Sequence, residues 1–298
     1  MLTYPTNCVI LNLHSMKGVS EMATNVYEGF ESIHEFFHAI ETRPVNSAFR
    51  GRSCESHGND KSFTMCSSWE EAVNLLNKGW DEPLNEIKKG VERNFKSNTV
   101  REKNRPQTGV VGYAPCVPNA IMGLPNSMIM TEKTPTKIKA VTINYSMSVT
   151  AGITTNQLLK AGISLLNIIN NLELAGYRVK LNVEFVSTEI NGILHTVRVN
   201  VKDWRQPLDL KKLTFPLAHP SAFRRIGWRW LETSPKYASS YGDYGSSNFK
   251  DNYERAVKKY QDSNLLADNE YLITAYLCIN SGYDEKKITK TCGLSALR

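Results

Sequence analysis

Apolar residues recur along this chain with two spacings, and the switches between them mark out its elements. Between residues 155 and 175, Leu158, Leu159, Ile163, Leu165, Leu166, Ile169 and Leu172 fall on one side of a helix, and Gly176 stands where a helix C-terminus favours glycine. From residue 178 the period drops to two. Val179, Leu181, Val183 and Phe185 alternate with Lys180, Asn182 and Glu184, as in a strand with unlike faces. Asn191-Gly192 is suited to a type I′ turn, and Val197, Val199 and Val201 alternate behind it. Ahead of the helix, residues 138–145 read as a strand that ends in the polar loop Asn144-Tyr145-Ser146-Met147-Ser148. The predicted order is strand, polar loop, helix, strand, tight hairpin, strand.

The flanking regions are less periodic. Residues 9–13 read as a short strand. Phe30, Ile33, Phe36, Phe37 and Ile40 mark a helix face, with Ser32 and Glu35 spaced as a capping box, and residues 43–61 read as a loop. Ser67 and Glu70 repeat that spacing before a second helix through Ala72, Leu75 and Leu76, closed by Gly79; Asp81 and Pro83 open a third. Over residues 88–105 the apolar pattern fades into a basic linker carrying Lys88, Lys89, Arg93, Lys96, Arg101, Lys103 and Arg105. Five prolines make residues 106–136 an extended connector with one short helix near Asn119. Beyond the hairpin the pattern predicts a helical turn or two at 209–215, stopped by Pro216, and a strand at 226–231. A long loop at 234–247, a helix at 252–261, a strand at 271–279 and a helix at 284–290 follow.

Composition narrows this further. At 298 residues and 41% hydrophobic content, the chain can bury one large core or two small ones. It has no apolar run of about 18 residues or more and no signal-peptide pattern, so a cytoplasmic protein without a membrane partner is expected. Cys8, Cys54, Cys66, Cys116, Cys278 and Cys292 lack paired spacing, which argues for reduced thiols. The formal charge of +7 and pI near 9.0 favour an acidic partner such as nucleic acid, although surplus surface lysine gives the same balance.

The order of elements from residue 137 to 204 resembles the opening of a von Willebrand factor A-like domain. In that family an Asp-x-Ser-x-Ser loop binds a divalent cation. Asn144, Ser146 and Ser148 stand at those positions here, and the amide removes the negative charge that would offset desolvation of the ion. The resemblance implies an α/β fold: a mixed, mostly parallel sheet flanked by helices, A-like or Rossmann-like, over residues 106–298. A mainly helical N-terminal region with its basic linker would occupy residues 1–105. A second resemblance rests on Ser68-Trp69-Glu70-Glu71-Ala72, Gly79-Trp80, Ala175-Gly176-Tyr177-Arg178-Val179 and Leu217-Ala218-His219-Pro220-Ser221-Ala222-Phe223-Arg224-Arg225. These are similar to a family of uncharacterised phage and plasmid-borne proteins, which implies life in a bacterial host cytoplasm and nothing about catalysis.

Three constellations offer chemistry. His34-Glu35-Phe36-Phe37-His38 has the spacing of a zinc peptidase, two imidazoles one helical turn apart with a glutamate as general base, but the extended continuation is missing because Glu41 and Pro44 occupy it. Two histidines on an amphipathic helix is the plainer reading. Cys54, His57 and Cys66, with His38 as a fourth ligand, could close around zinc, although thiols in a polar loop need no such role. No Walker loop, nucleophile elbow or dinucleotide fingerprint occurs, and no cofactor is expected.

The third constellation interleaves cations with rings: Arg224, Arg225, Trp228, Arg229, Lys236, Tyr237, Tyr241, Tyr244, Lys250, Lys258 and Lys259. Cations along a backbone and rings stacked on bases are how single strands are held. Against that stands a structural role, with Trp228 and Trp230 packed in the core and Lys258 and Lys259 on a wet helix face. The expected function is a non-enzymatic, single-stranded-DNA-binding accessory protein of a phage or mobile element, working in transcription or replication, with a phage or host polymerase or replication protein as the expected protein partner. The alternatives are a protein-interaction module at the Asn144, Ser146, Ser148 loop edge and a zinc hydrolase using His34, Glu35 and His38.

Overall fold

In a computed structural model, residues 25–49, 61–84, 105–132, 139–188, 193–234, 237 and 253–297 are described. The expected strand at 9–13, most of the basic linker and the Asn191-Gly192 turn lie outside them. The described residues begin with strand β1 (Val26–Phe30), helix α1 (Ile33–Thr42), the short helix α2 (Lys61–Thr64) and helix α3 (Trp69–Lys78). Ser32 caps α1 as its spacing predicts, accepting from the Glu35 N–H while Glu35 reaches back to the Glu31 N–H at 3.0 Å. The second cap is displaced by one residue from the expected pair. Ser68 accepts from the Glu71 N–H, and Glu71 accepts from the Ser67 N–H at 2.7 Å.

The proline-rich connector is a small antiparallel sheet. Strands β2 (Arg105–Gly109) and β3 (Ala114–Pro115) flank β4 (Met128–Glu132), and helix α4 (Val117–Ile121) forms where a short helix is expected. The prolines disguise these strands in the sequence, although Pro106 and Pro115 stand in β2 and β3, the two edge strands, where a missing N–H is tolerated.

The main sheet follows the predicted order. Strand β5 (Lys139–Ser146) leads through helix α5 (Thr155–Leu174) to strand β6 (Tyr177–Thr188), which pairs parallel with β5, and strand β7 (Leu194–Lys202) returns antiparallel to β6. The α5 start carries a full capping box between Thr154 and Gln157. Strand β1 pairs parallel with β7, so a segment from before residue 105 closes one edge. The other edge is β8 (Glu270–Thr274), parallel to β5, giving the order β1-β7-β6-β5-β8. The result is the expected α/β fold with a mostly parallel, mixed sheet. The described N-terminal residues form helices α1, α2 and α3 and also contribute strand β1 to that sheet, and one hydrophobic core runs from Phe30 and Trp80 through to Leu294.

Helix α6 (Leu210–Ala218) passes through Pro216 instead of stopping before it. Proline there sacrifices one backbone bond in the last turn, where burial of Phe215, Leu217 and Ala218 outweighs the loss. The expected strand at 226–231 does not form. Residues 226–231, where Ile226, Trp228 and Trp230 alternate like a strand, are helical: a π-helical segment (Ala222–Gly227) runs directly into α7 (Trp228–Thr233). Helix α8 (Tyr253–Asp262) precedes β8, and the expected strand at 271–279 breaks at Thr274, which caps helix α9 (Ala275–Asn280). Helix α10 (Glu285–Thr291) and a 3-10 turn (Leu294–Ala296) follow.

The two faces of the main sheet differ in chemistry. Val141, Ile143, Val183, Phe185, Val197 and Val199 stand on one face, beneath α1, α5 and α6. Close packing there leaves no room for a methyl group at Gly162 of α5, where a Cβ would lie 2.4 Å from the Ala218 Cβ. The opposite face carries Asn144, Ser146, Asn182, Glu184, Thr196, Arg198 and Glu270.

Candidate functional site

Helix α8 and the turn after it bring Tyr260 and the Leu265 carbonyl to the polar face, and its charged groups satisfy one another. Asn182 donates to the Asn144 carboxamide oxygen at 2.8 Å, and Asn144 donates to Glu270 at 2.8 Å. The Arg198 guanidinium donates to Glu184 at 2.6 Å, lies 3.5 Å from Glu270, and donates to the Leu265 carbonyl. Burial raises the Glu184 carboxyl above its usual range, and burial followed by the charge of Glu184 raises the nearby Tyr260 phenol. This network joins β7, β6, β5 and β8. Glu184 is fully buried, so the arrangement braces the sheet rather than presenting a carboxylate to a substrate.

Asn144 therefore spends both ends of its amide inside the sheet. Ser148, also buried, accepts from the Val186 N–H at 2.6 Å, and Ser146 is buried next to Tyr260. None of the three side chains points to an open cation site. Among the described residues, no group of three or more His, Cys, Asp or Glu is placed to hold a metal.

His34, Glu35 and His38 are exposed on α1, and the Glu35 carboxylate closes the helix cap, which occupies the group a hydrolase would use as general base. His34 borders a cleft of about 460 Å³ together with Ser32, Lys202, Asp203, Asp209 and Lys212. The buried Lys202 ammonium in this cleft is already engaged, 2.6 Å from Glu173 and donating to the Val179 and Asp203 carbonyls. Cys54 and His57 lie outside the described residues.

Cys66 is buried against His219, with Sγ and Nε2 3.9 Å apart. The pair looks like a nucleophile and its base, but the hydrogen bonding excludes that role. The Ser221 N–H donates to His219 Nδ1 at 3.1 Å, which places the imidazole proton on Nε2, facing the sulphur. His219 can then donate to the thiol but cannot take its proton. Burial lowers the His219 pKa to about 4 and raises the Cys66 thiol, so both are neutral at pH 7.

The cation and ring stripe divides. Arg224 and Arg225 are buried and act as internal clamps. Arg224 donates to the Phe63 carbonyl at 2.7 Å and the Ile153 carbonyl at 2.5 Å, its guanidinium 3.9 Å from the Phe63 ring centre, and burial lowers its pKa to about 10. Arg225 donates to the Cys66 carbonyl at 3.0 Å. Tyr237 is buried in stacked contact with Phe49, and half-buried Trp228 packs against Phe63 and Phe223. Arg229 pairs with Glu232 at 3.2 Å. These five therefore do not form the outward-facing stripe expected of them. Lys258 is exposed and Lys259 half-buried on α8, while Lys236, Tyr241, Tyr244 and Lys250 lie outside the described residues.

Among the described residues, the most exposed large apolar side chains are in the connector. Val110, Val111, Tyr113, Val117, Ile121 and Met122 are 59–80% exposed. Residues 106–131 contain no Asp, Glu, Lys, Arg or His, in a chain that is 22% charged. That charge-free run is the signal the sequence holds, and the prolines, which make the segment read as an extended connector, mask it.

A family model described as "Domain of unknown function (DUF7192)" matches residues 12–295. The chain belongs to this family. The match extends over the small sheet and the main sheet alike, so the DUF7192 unit includes the charge-free lobe. No curated protein and no solved structure matches the chain.

Proposed function

We propose that this DUF7192 protein is a non-enzymatic binding protein that works through protein–protein contact, with the lobe at residues 106–131 as its docking element. The exposure of Val110, Val111, Tyr113, Val117, Ile121 and Met122 within a charge-free segment carries this reading. Large exposed apolar patches are uncommon on proteins that act alone, and interface cores are depleted in charge and enriched in Tyr and Met. The polar groups that suggested catalysis support it as well, since Cys66 with His219 and Glu184 with Arg198 are engaged within the fold.

Arg105 and Glu132 are register partners across β2 and β4, so the lobe begins and ends at neighbouring positions and can be replaced by a short Gly-Ser link. The tagged chain and its lobe-less variant, each expressed in the same host beside an untagged copy of the chain, should retain different co-purifying proteins, the untagged copy counted among them. Identical sets, with both proteins folded, would end the reading.

One observation favours a second reading, an anionic polymer along α8. Arg255 and Lys258 are exposed, and the pKa of Lys259 beside them is lowered by burial and then by the Arg255 charge, a repulsion that a bound phosphate would relieve. Affinity for a labelled single strand should then fall steeply with salt and weaken in Lys258→Ala. Salt-independent binding, or none at low salt, removes this reading.

A further inference from the structure

The lobe is stiff for so small a sheet. Its 110–113 loop crosses directly over the central strand: the Tyr113 N–H donates to the Ile129 carbonyl at 2.9 Å, and a Cβ at Gly112 would lie 2.2 Å from that same oxygen. Around α4, the Cys116 N–H donates to the Ser127 carbonyl at 2.7 Å, the Asn119 side chain donates to the Asn126 carbonyl at 2.9 Å, and the Leu124 N–H returns to the Asn119 carbonyl at 3.0 Å. The backbone that displays Val111, Ile121 and Met122 is thus tied down before any partner arrives. Less ordering entropy is lost when such a surface binds.

We infer that the occupant of this surface is the same surface on a second copy of the chain, an inference that rests on the lobe being a protein contact at all. A two-fold contact sets a patch against itself, so every group must tolerate its own kind. Apolar side chains do, whereas a charged patch would face like charge. Each molecule carries a formal +7, and contact through residues 106–131 places none of that charge in the interface. Area bears on it too. A stable interface takes about 800 Å² from each partner, and towards it the lobe offers six large apolar side chains exposed by 59–80%, besides Leu124 and Met130.

The test is sedimentation of the full chain across a concentration series, beside Val111→Glu and Ile121→Glu. Both side chains are largely exposed, so the variants should keep the wild-type circular dichroism and melting curve. The wild type is expected to approach twice 33.6 kDa, with each variant at least about tenfold weaker in self-association. Added salt should tighten the wild-type dimer by screening the repulsion between the two bodies, opposite to the response of a nucleic-acid complex. A wild type that stays monomeric throughout, or a dimer that neither variant weakens, overturns the inference. The broader reading fails separately, if removal of the lobe leaves the co-purifying proteins unchanged.

Discussion

Arg198 and Glu184 face each other across β7 and β6, and the 2.6 Å contact between them neutralises a carboxylate that has no exposure to water. The balance around them is uneven, with one guanidinium between two acids, Glu184 and Glu270. Removing the cation therefore differs from removing one anion. Arg198→Met should cost about 3–5 kcal/mol, because it strands Glu184 in the interior. Glu184→Gln should cost less than about 1.5 kcal/mol, since the amide oxygen still accepts and Arg198 retains Glu270. Urea midpoints of the two variants measure this, and equal losses would contradict the reading. The Glu184 carboxyl is raised by burial above its unfolded value of 4.5, so a native state lacking Arg198 holds the proton more tightly still. The Arg198→Met deficit should accordingly shrink as pH falls towards 4.5.

His219 makes an acid-sensitive contribution. Its pKa is lowered from 6.5 to about 4 by burial, so the unfolded chain binds a proton that the native state refuses. The stability it supports is complete above 6.5 and is lost as pH falls from 6.5 towards 4, an effect of about 3 kcal/mol. His219→Phe should flatten the stability curve in that window whatever its absolute stability. An unchanged slope in denaturant titrations between those values would show that the acid sensitivity lies elsewhere.

Gly162 is a helix-interior glycine that an alanine should not improve. Intrinsic propensity favours alanine by about 1 kcal/mol, but the new methyl would lie 2.4 Å from the Ala218 Cβ and 2.5 Å from the Leu217 carbonyl oxygen. Overpacking of this kind costs about 1–3 kcal/mol, so Gly162→Ala should lower the melting temperature. A rise would mean that α5 and α6 can separate cheaply.

Arg224 separates a structural role from a binding one. It holds the Phe63 and Ile153 carbonyls from the interior, and hydrogen bonds from a charged group are worth about 1.5–3 kcal/mol. Arg224→Ala should lower the urea midpoint without altering any affinity for an oligonucleotide, and Lys258→Ala should do the reverse. Loss of affinity in a folded Arg224→Ala protein would return that arginine to the surface chemistry its sequence suggests.

How much could be read in advance depended on the range of the interactions involved. The expected misreadings fall where distant residues choose the conformation. Ile226, Trp228 and Trp230 alternate as a strand would, yet the chain there is helical, because Arg224 and Arg225 must reach carbonyls of Phe63, Ile153 and Cys66. The same contacts turn Arg224 and Arg225, two residues of the anticipated nucleic-acid surface, inward. Sequence pattern cannot distinguish an arginine that meets phosphate from one that meets a buried peptide carbonyl, since the donor chemistry is identical.

The sequence by itself determined the central unit: strand β5, helix α5, strand β6 and the antiparallel return of β7, together with the mostly parallel α/β class. Those elements follow from periods of 3.6 and 2 and from caps such as Thr154 with Gln157, all of which act within a few residues. Only the tertiary structure decided that β1 closes the sheet edge, that Glu184 and Arg198 are sealed between strands, and that residues 106–131 display their apolar side chains instead of burying them. Each of those outcomes depends on which distant surfaces meet, and burial is a property of the whole fold that no local spacing encodes.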